Sequence, residues 1–334
     1  MTVHWPAGFR YWQRSAEGGM LAALPHETHR EILPMPYYLL LSLAAVFWGG
    51  NYVVGRVLVA GIDPMLLSAL RWAGTALLLS LVFGRRVLAQ WPRSASDWGR
   101  LAFLAALGQI AFPVTLYLAL QTVTSVRSAI YMAASPCIVM LLGRLFFGDA
   151  LRPRALLGIA VSTLGVLLIL SKGHLPSLLA QGALARGDLW AMAAVLSWAV
   201  YCTFLRIRPK ALSSESFVTL SSWLGALALL PAAWPALLAA WQPGGGWPWG
   251  AAQALGLAYL VVFPSWLAYV FWSRGVAAVG AARADVFTHL IPLSGGLMGI
   301  ALLNEPFMHY HLAAALCILA GLALCQWDKA RHMP

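Results

Sequence analysis

The chain has 334 residues, of which 61% are hydrophobic and only 10% are charged. A soluble domain carries about a quarter charged residues, whereas here the charges cluster between apolar runs of roughly 17 to 24 residues, the length that crosses a bilayer. This composition excludes an ordinary soluble enzyme, a nucleic-acid-binding protein and a disordered chain. Basic cytoplasmic loops, and not nucleic acid, explain the net charge of +11. The sequence predicts an all-α integral membrane protein.

Neither end of the chain nor the cysteines indicate processing or a cofactor. Residues 1–35 contain no sustained apolar stretch, which argues against a cleaved signal peptide and favours a cytoplasmic leader. The four cysteines lie in or at the ends of apolar runs, without a Cys-x-x-Cys pair or a histidine at metal-ligand spacing. We therefore expect no disulfide, metal or cofactor.

Ten transmembrane helices are predicted, because backbone groups inside lipid must be hydrogen-bonded within the segment. The spans are Tyr37–Ala60, Met65–Phe83, Arg100–Gln121, Ser125–Phe147, Ala155–Ser171, Asp188–Leu205, Phe217–Trp234, Ala251–Trp272, Ala281–Leu303 and Met308–Trp327. Pro231 and Pro235 interrupt the seventh of them, which is the weakest pattern.

The distribution of lysine and arginine predicts the orientation. With the N-terminus inside, sixteen basic residues face the cytoplasm and four face outward, a strong bias under the positive-inside rule. The inner set is Arg10, Arg14, Arg30, Arg85, Arg86, Arg93, Arg100, Arg152, Arg154, Arg206, Arg208, Lys210, Arg274, Arg283, Lys329 and Arg331, and the outer set is Arg56, Arg127, Lys172 and Arg186. We expect a multi-pass protein of the cell (inner) membrane with both termini in the cytoplasm.

The two halves of the chain repeat. A shift of 156 residues aligns Arg127 with Arg283, Pro136 with Pro292, Gly143 with Gly299, Asp149 with Glu305 and Gly165 with Gly321, and a shift of 150 aligns Trp48 with Trp198 and Arg56 with Arg206. Because each half has five spans, an odd number, the second half would enter the membrane in the opposite orientation. Inverted repeats of this kind occur in transporters, whose substrate site lies between the repeats. The predicted units are a leader (1–35), a first repeat (36–171), a periplasmic linker (172–187), a second repeat (188–327) and a cytoplasmic tail (328–334).

Several motifs carry a family resemblance. They are Ala-Val-Phe-Trp-Gly-Gly-Asn-Tyr at 45–52, Leu-Arg-Trp at 70–72, Phe-Gly-Asp at 147–149, Gly-Asp-Leu-Trp at 187–190 and Leu-Asn-Glu-Pro at 303–306. Together they resemble the EamA family of the drug/metabolite transporter superfamily over about residues 37–327. The first repeat departs from the family pattern, because Asp149 stands where glutamate is usual. The resemblance implies transport of amino acids or related solutes.

Arg71 lies about two turns into its span, roughly 10 Å deep at 1.5 Å per residue. An arginine at that depth is costly unless it pairs, snorkels or faces water. In a functional role, Arg71 would bind a substrate carboxylate or form an ion pair in a gate. In a structural role, it would cap backbone carbonyls or reach lipid headgroups.

Aromatic side chains predict a substrate cavity. Trp48, Asn51 and Tyr52 fall within one helical turn and its flank, and Trp198 and Tyr201 lie three apart on the equivalent helix of the second half. Facing aromatics with one amide would form an amphipathic wall for small organic solutes. The alternative is tight packing together with lipid-facing aromatics.

Pro136 and Pro292 occupy equivalent points in the middle of their spans. A proline there frees a backbone carbonyl and kinks the helix, so we expect hinges or shaped cavity walls at both positions.

Asp285 and His289 are four residues apart and would share a face of an α-helix, whereas their repeat counterparts are Ala129 and Ala133. This one-sided pair is the candidate for proton coupling, and His289 is also a candidate substrate contact. A structural salt bridge with Arg274 or Arg283 is the alternative for Asp285.

These features predict a secondary transporter that moves small metabolites, in the direction of export, by alternating access. The alternatives are an intramembrane enzyme, whose serine-protease, His-Glu-x-x-His and diphosphate motifs are missing, and a channel-like facilitator. No Walker loop is present, so we expect no use of ATP. The expected partners are a small-molecule substrate and the lipid bilayer, and a homodimer is left open.

Overall fold

The computed structural model describes residues 35–132, 134–149, 153–176, 185–241, 250–279 and 284–330, and all regular structure in these ranges is helical. The helices are α1 (Met35–Leu58), α2 (Pro64–Ala89), α3 (Ala95–Leu120), α4 (Ser125–Met132), α5 (Ser135–Phe147), α6 (Pro153–Leu170), α7 (Arg186–Phe204), α8 (Ser214–Trp241), α9 (Ala251–Val279), α10 (Leu290–Leu303) and α11 (His309–Ala330). Nearly all of the predicted leader, the middle of the linker and the end of the tail lie outside the described residues.

Seven helical stretches of the described chain are long and apolar enough to cross a membrane. They are Pro36–Leu58, Pro64–Ala89, Ala95–Leu120, Ser125–Phe147, Arg186–Ile207, Ser214–Ala240 and Ala251–Val279, and three shorter apolar helices cover Leu156–Leu168, Phe287–Leu303 and His309–Gly321. Each predicted span overlaps one of these ten stretches. Because the last three are shorter than the about 20 residues that cross a bilayer, ten crossings stays a prediction.

Helix α8 corrects the seventh predicted span. Pro231 and Pro235 both lie inside it, and the helix continues to Trp241 instead of ending at Trp234. Proline removes one backbone donor and bends a helix, but membrane helices tolerate it where the freed carbonyls are satisfied in other ways. The predicted break at this place is therefore wrong.

Pro136 and Pro292 each lie in the first turn of an α-helical segment, and a hinge at either position stays a prediction. Helix α4 ends at Met132 and α5 starts at Ser135, so Pro136 falls in the first turn of α5. Pro292 falls in the first turn of α10, which follows a short 3₁₀ helix, Asp285–His289. A proline in a first turn disturbs no intrahelical hydrogen bond, since the first N–H groups have no partner there. The two prolines still mark equivalent points of the two halves.

Helices from the first half pack mainly against helices from the second. The pairs are α1 with α10 and α9, α2 with α8, α3 with α7, and α6 with α11. Glycines let the backbones approach, since a Cβ on Gly295 would lie 3.1 Å from the carbonyl oxygen of Gly49, and one on Gly165 would lie 2.8 Å from that of Ala314. Close backbone contact of this kind is how helices associate in a membrane, where hydrophobicity supplies no net attraction between them.

Candidate functional site

Four aromatic side chains from three helices meet in the middle of the described core. The Trp48 ring lies 5.3 Å from Trp198, 5.8 Å from Tyr269 and 5.3 Å from Trp272, measured between centroids. Most of these contacts are edge-to-face, which aromatic quadrupoles favour. Trp48 belongs to α1 and Trp198 to α7, so the two tryptophans that the repeat alignment paired are in direct contact.

A small closed cavity adjoins this aromatic cluster. Its volume is about 10 Å³, and it is lined by Trp48, Asn51, Tyr52, Phe112, Met132, Trp198 and Ile291. This is space for about one water molecule, and all of its lining residues are buried. The Tyr52 hydroxyl is buried and has no hydrogen-bond partner in the described structure.

Four of the predicted cavity residues therefore come together, and the fifth lies behind them. Trp48, Asn51, Tyr52 and Trp198 line the cavity, whereas Tyr201 stacks on Trp198 at 5.3 Å and forms no part of the lining. The role of these side chains in binding stays a prediction.

Arg71 is 1% exposed and makes its hydrogen bonds to neutral groups. Nη1 donates to Asn51 Oδ1 at 3.0 Å and to the Tyr117 hydroxyl at 2.8 Å, while Nε donates to Ser265 Oγ. The guanidinium also lies 5.0 Å from the ring centroid of Trp72. None of these hydrogen bonds uses Nη2 of Arg71. The described partners of this guanidinium include no carboxylate, so its positive charge is not neutralised by an ion pair among them.

One hydrogen-bond partner of Arg71, Ser265, lies in a π-helical segment of α9. Residues Val261–Leu267 form this segment, and Pro264 lies within it. The Pro264 carbonyl accepts a hydrogen bond from Trp48 Nε1 at 3.0 Å, and the Leu260 carbonyl accepts one from Ser265 Oγ at 2.7 Å. The widened turn thus presents a carbonyl and a hydroxyl to the first half of the chain, and such bulges are frequent at functional sites.

Helix α3 contains the equivalent feature at Ala106–Ala111, also π-helical. Its Gly108 carbonyl accepts a hydrogen bond from the Tyr269 hydroxyl at 3.3 Å, and its Leu107 carbonyl accepts one from Ser197 Oγ at 3.0 Å. Gln109 is fully buried, and neither its amide oxygen nor its nitrogen has a partner in the described structure. Sequence reasoning missed both π segments, although prolines 113 and 264 in apolar spans were a signal.

A buried ion pair at the predicted outer end joins the two halves. Arg127 of α4 lies 3.0 Å from Asp188 of α7, and the Tyr131 hydroxyl donates to the same carboxylate at 3.0 Å. Nearby, Glu305 accepts hydrogen bonds from the Ser125 backbone N–H at 2.8 Å and from its hydroxyl. A carboxylate at the start of α4 also complements the helix dipole. The sequence had identified Arg127 only as an outer charge.

The predicted inner end carries three more ion pairs among the described residues, formed by two carboxylates. Asp149 lies 3.1 Å from Arg206, and the two side chains are 49% and 40% exposed. Glu215 is nearly buried and pairs with Arg274 and, at 3.5 Å, with Arg86. Asp149 and Glu305, which the repeat aligns, therefore take different partners in the described structure.

The segment Asp285–His289 is a 3₁₀ helix and not the α-helix in which residues four apart share a face. A coupling role for Asp285 and His289 stays a prediction. Both ring nitrogens of His289 are buried without a hydrogen-bond partner in the described structure, and Arg274 is engaged with Glu215.

Comparisons with known proteins agree with this architecture. The sequence matches the EamA-like transporter family over residues 35–171 and 185–326. An uncharacterized transporter of Archaeoglobus fulgidus is 30% identical over 86% of this chain and 96% of its own length. The uncharacterized transporter YyaM of Bacillus subtilis is 23% identical over 85% of this chain and 92% of its own.

Two further comparisons are with a relative that is named as a pump and with a solved structure. A probable amino-acid metabolite efflux pump of Salmonella typhimurium is 26% identical over 85% of this chain and 92% of its own. A protein crystal structure that is 17% identical aligns with a TM-score of 0.59 over 90% of this chain and 99% of that one, which establishes the fold alone. The relatives are named as transporters and not as enzymes, and the expected resemblance is confirmed. The chain belongs to the EamA-like transporter family.

Proposed function

We propose that this transporter exports small carboxylate metabolites, amino acids or related solutes, across the cytoplasmic membrane by alternating access. The observation that carries the proposal is the position of Arg71. This buried cation is hydrogen-bonded to neutral groups, and one of them, Asn51, lines the aromatic cavity. Asn51 connects the two, since it lines the cavity and accepts a hydrogen bond from Arg71. A buried charge within a membrane marks a substrate pathway more often than a structural role.

The chemistry of the cavity favours an amphipathic substrate. Trp48, Trp198 and Phe112 supply apolar walls, and the Tyr52 hydroxyl has no protein partner to satisfy it. A guanidinium matches a carboxylate with two parallel hydrogen bonds, and the aromatic faces suit an aliphatic or aromatic side chain. The name of the Salmonella typhimurium relative, a probable amino-acid metabolite efflux pump, supports the same substrate class and the outward direction.

The two-fold organisation supports alternating access. The family matches two segments with nearly the predicted bounds of the halves, and the main helix pairs join one half to the other. The π segments begin at Ala106 and Val261, close to the 156-residue repeat offset. In transporters of inverted repeats, one half rocks against the other around a fixed central site.

Charges at the two ends of the molecule provide the gates in this proposal. Arg127 and Asp188 hold α4 against α7 at the outer end, and Asp149 and Arg206 join α5 to the end of α7 at the inner end. With the central cavity closed, both gates are shut at once, which corresponds to an occluded form. Opening one gate would expose the cavity to one side only.

Counterflow in proteoliposomes tests the transport proposal. Vesicles loaded with one amino acid should accumulate labelled amino acid from outside, with a saturable rate that falls at least tenfold in Trp48→Ala. Trp234→Ala is the matched control, because Trp234 is 53% exposed on α8 and does not line the cavity. Equal loss in both variants contradicts the central site. A rate that never saturates contradicts a carrier and favours a channel-like facilitator.

A further inference from the structure

A second and larger cavity lies on the side of the molecule, away from the central site. It has a volume of about 480 Å³ and is a groove between the end of α2, the start of α3 and the first half of α8. Its lining consists of Ser80, Gly84, Val87, Leu88, Trp91, Trp98, Leu220, Trp223, Leu224 and Leu227. Sites for organic ligands have volumes of about 300 to 1,000 Å³, so the groove is large enough for one.

The floor of the groove is open at Gly84. A Cβ added there would meet no atom within 4 Å, although the residue lies in the last two turns of a helix that packs against α8. Leu88 on the same face is 73% exposed, and Leu227 on the opposite wall is 55% exposed. In a membrane transporter such a face meets lipid and not water.

Two of the lining tryptophans already have hydrogen-bond partners within the protein. Trp223 Nε1 donates to Ser80 Oγ at 2.9 Å, and Trp98 Nε1 donates to the Pro92 carbonyl at 3.1 Å. A polar metabolite or peptide would therefore find few hydrogen-bond partners inside the groove and would lose its own hydration. A hydrocarbon chain loses nothing on entering and gains contact with the tryptophan and leucine side chains.

Two arginines lie next to lining residues of the groove in the sequence. Arg85 follows Gly84 in α2, and Arg93 stands two residues after Trp91, which is half-exposed. Both arginines are exposed, and neither forms an ion pair within the described part of the chain, whereas Arg86 faces Glu215. Tryptophan and arginine together are typical of the membrane interface, and basic residues there attract anionic lipid headgroups.

We propose that this groove binds one anionic phospholipid, with an acyl chain over Gly84 between Trp91, Trp98 and Trp223 and the phosphate at Arg85 and Arg93. The predicted orientation, which is part of the proposed function, puts this lipid in the cytoplasmic leaflet. The site is distinct from the central cavity, because the two linings have no residue in common.

Native mass spectrometry of the delipidated protein tests the acyl-chain site directly. Phosphatidylglycerol should bind to the wild type as a one-to-one adduct, and Gly84→Trp should weaken this adduct about tenfold by filling the groove from a position where an added Cβ meets no other atom. Gly99→Trp is the control, because Gly99 is an exposed helical glycine whose Cβ would also meet open space and which does not line the groove. Equal adducts in both variants overturn the proposal.

A charge variant tests the headgroup separately. Arg85→Gln with Arg93→Gln should reduce the preference for phosphatidylglycerol over phosphatidylcholine about tenfold, whereas Lys172→Gln with Arg186→Gln, which removes two exposed charges at the other predicted face, should not. An unchanged preference overturns the headgroup assignment. If Gly84→Trp changes the proportion of dimer and not of lipid adduct, the groove is an interface between copies. Neither measurement requires transport, so each is independent of the proposed substrate.

Discussion

Arg71 is the side chain on which the substrate proposal depends most. Replacing it with alanine removes the buried charge that donates to Asn51, a cavity-lining residue, and to Tyr117, and leaves Asn51 Oδ1 with the Tyr117 hydroxyl as its donor. A hydrogen bond to a charged group contributes about 1.5–3 kcal/mol, so we expect transport of carboxylate substrates to fall about 10- to 100-fold in Arg71→Ala. The measurement is the initial rate of counterflow per inserted protein.

The conservative variant separates binding from scaffolding at this position. Arg71→Lys keeps the charge but loses the planar fork, so transport should recover in part. A scaffold role predicts a different pattern, in which both variants lose folded protein to the same extent. Retention of full transport by Arg71→Ala would contradict a role in substrate recognition.

Tyr52 offers a second test, because its hydroxyl makes no hydrogen bond in the described structure. Tyr52→Phe should leave the thermal stability unchanged and raise the KM about 2- to 10-fold, the effect of one neutral hydrogen bond to substrate. Tyr269→Phe is the comparison, since that hydroxyl donates to Gly108 and its loss should lower stability. An unchanged KM in Tyr52→Phe would mean that the hydroxyl does not touch substrate.

At the scale of residues, the sequence predicts neighbours along a helix better than neighbours across the fold. Trp48, Asn51 and Tyr52 follow from helical spacing, and Trp198 follows from the repeat. The contact of Arg71 with Ser265 joins residues 194 positions apart, and no local pattern indicates it. Such a pairing depends on how the two halves pack against each other. The periodicity of a single sequence does not indicate that packing.

At the scale of elements, the pair Arg127 and Asp188 is expected to govern opening on the outer side. Asp188→Asn removes the charge that holds α4 to α7, so the outer gate should open more often. We expect a cysteine at Met132, a cavity residue, to react about tenfold faster with an impermeant thiol reagent from outside, which corresponds to about 1.4 kcal/mol in the opening equilibrium.

Two controls distinguish a gate from a structural ion pair. Asp149→Asn at the inner pair should speed labelling from the inner side and not from the outer side. Exchanging the partners, Arg127→Asp with Asp188→Arg, should restore slow labelling in part, because the attraction across α4 and α7 returns. If no variant alters labelling while transport falls, the pair only stabilises the fold, as buried pairs do when one partner is removed.

Helix existence is predictable here, and helix detail is not. Apolar length identifies every segment that the structure describes as a helix crossing the core, because lipid forces internal hydrogen bonding. The positions of the prolines do not predict where helices end. Pro231 and Pro235 lie within α8, whereas Pro136 lies in the first turn of α5. The 3₁₀ turn at Asp285–His289 has no sequence signal, and it removes the α-helical spacing on which the proposed coupling pair depended.

At the scale of the whole molecule, composition is enough to place the chain in the membrane, and its repeats are enough to relate the halves. The closed cavity between α1, α3, α4, α7 and α10 is a consequence of docking, since each half contributes only part of its wall. If this cavity is the proposed substrate site, we expect substrate choice to depend on side chains from both repeats. A substitution in either repeat is expected to alter affinity more than one on the lipid-facing surface.

The orientation of the molecule is the last prediction. Sixteen basic residues lie on one predicted side and four on the other, so both termini should be cytoplasmic and the linker between the halves should be outside. In a variant without its native cysteines, single cysteines at Lys172 or Arg186 should react with an impermeant reagent in intact cells. A cysteine at Lys210 should react only after permeabilisation, and a cytoplasmic reporter fused after Pro334 should be active. Because each half has an odd number of predicted spans, the reverse pattern would contradict both the orientation and the inversion of the second repeat.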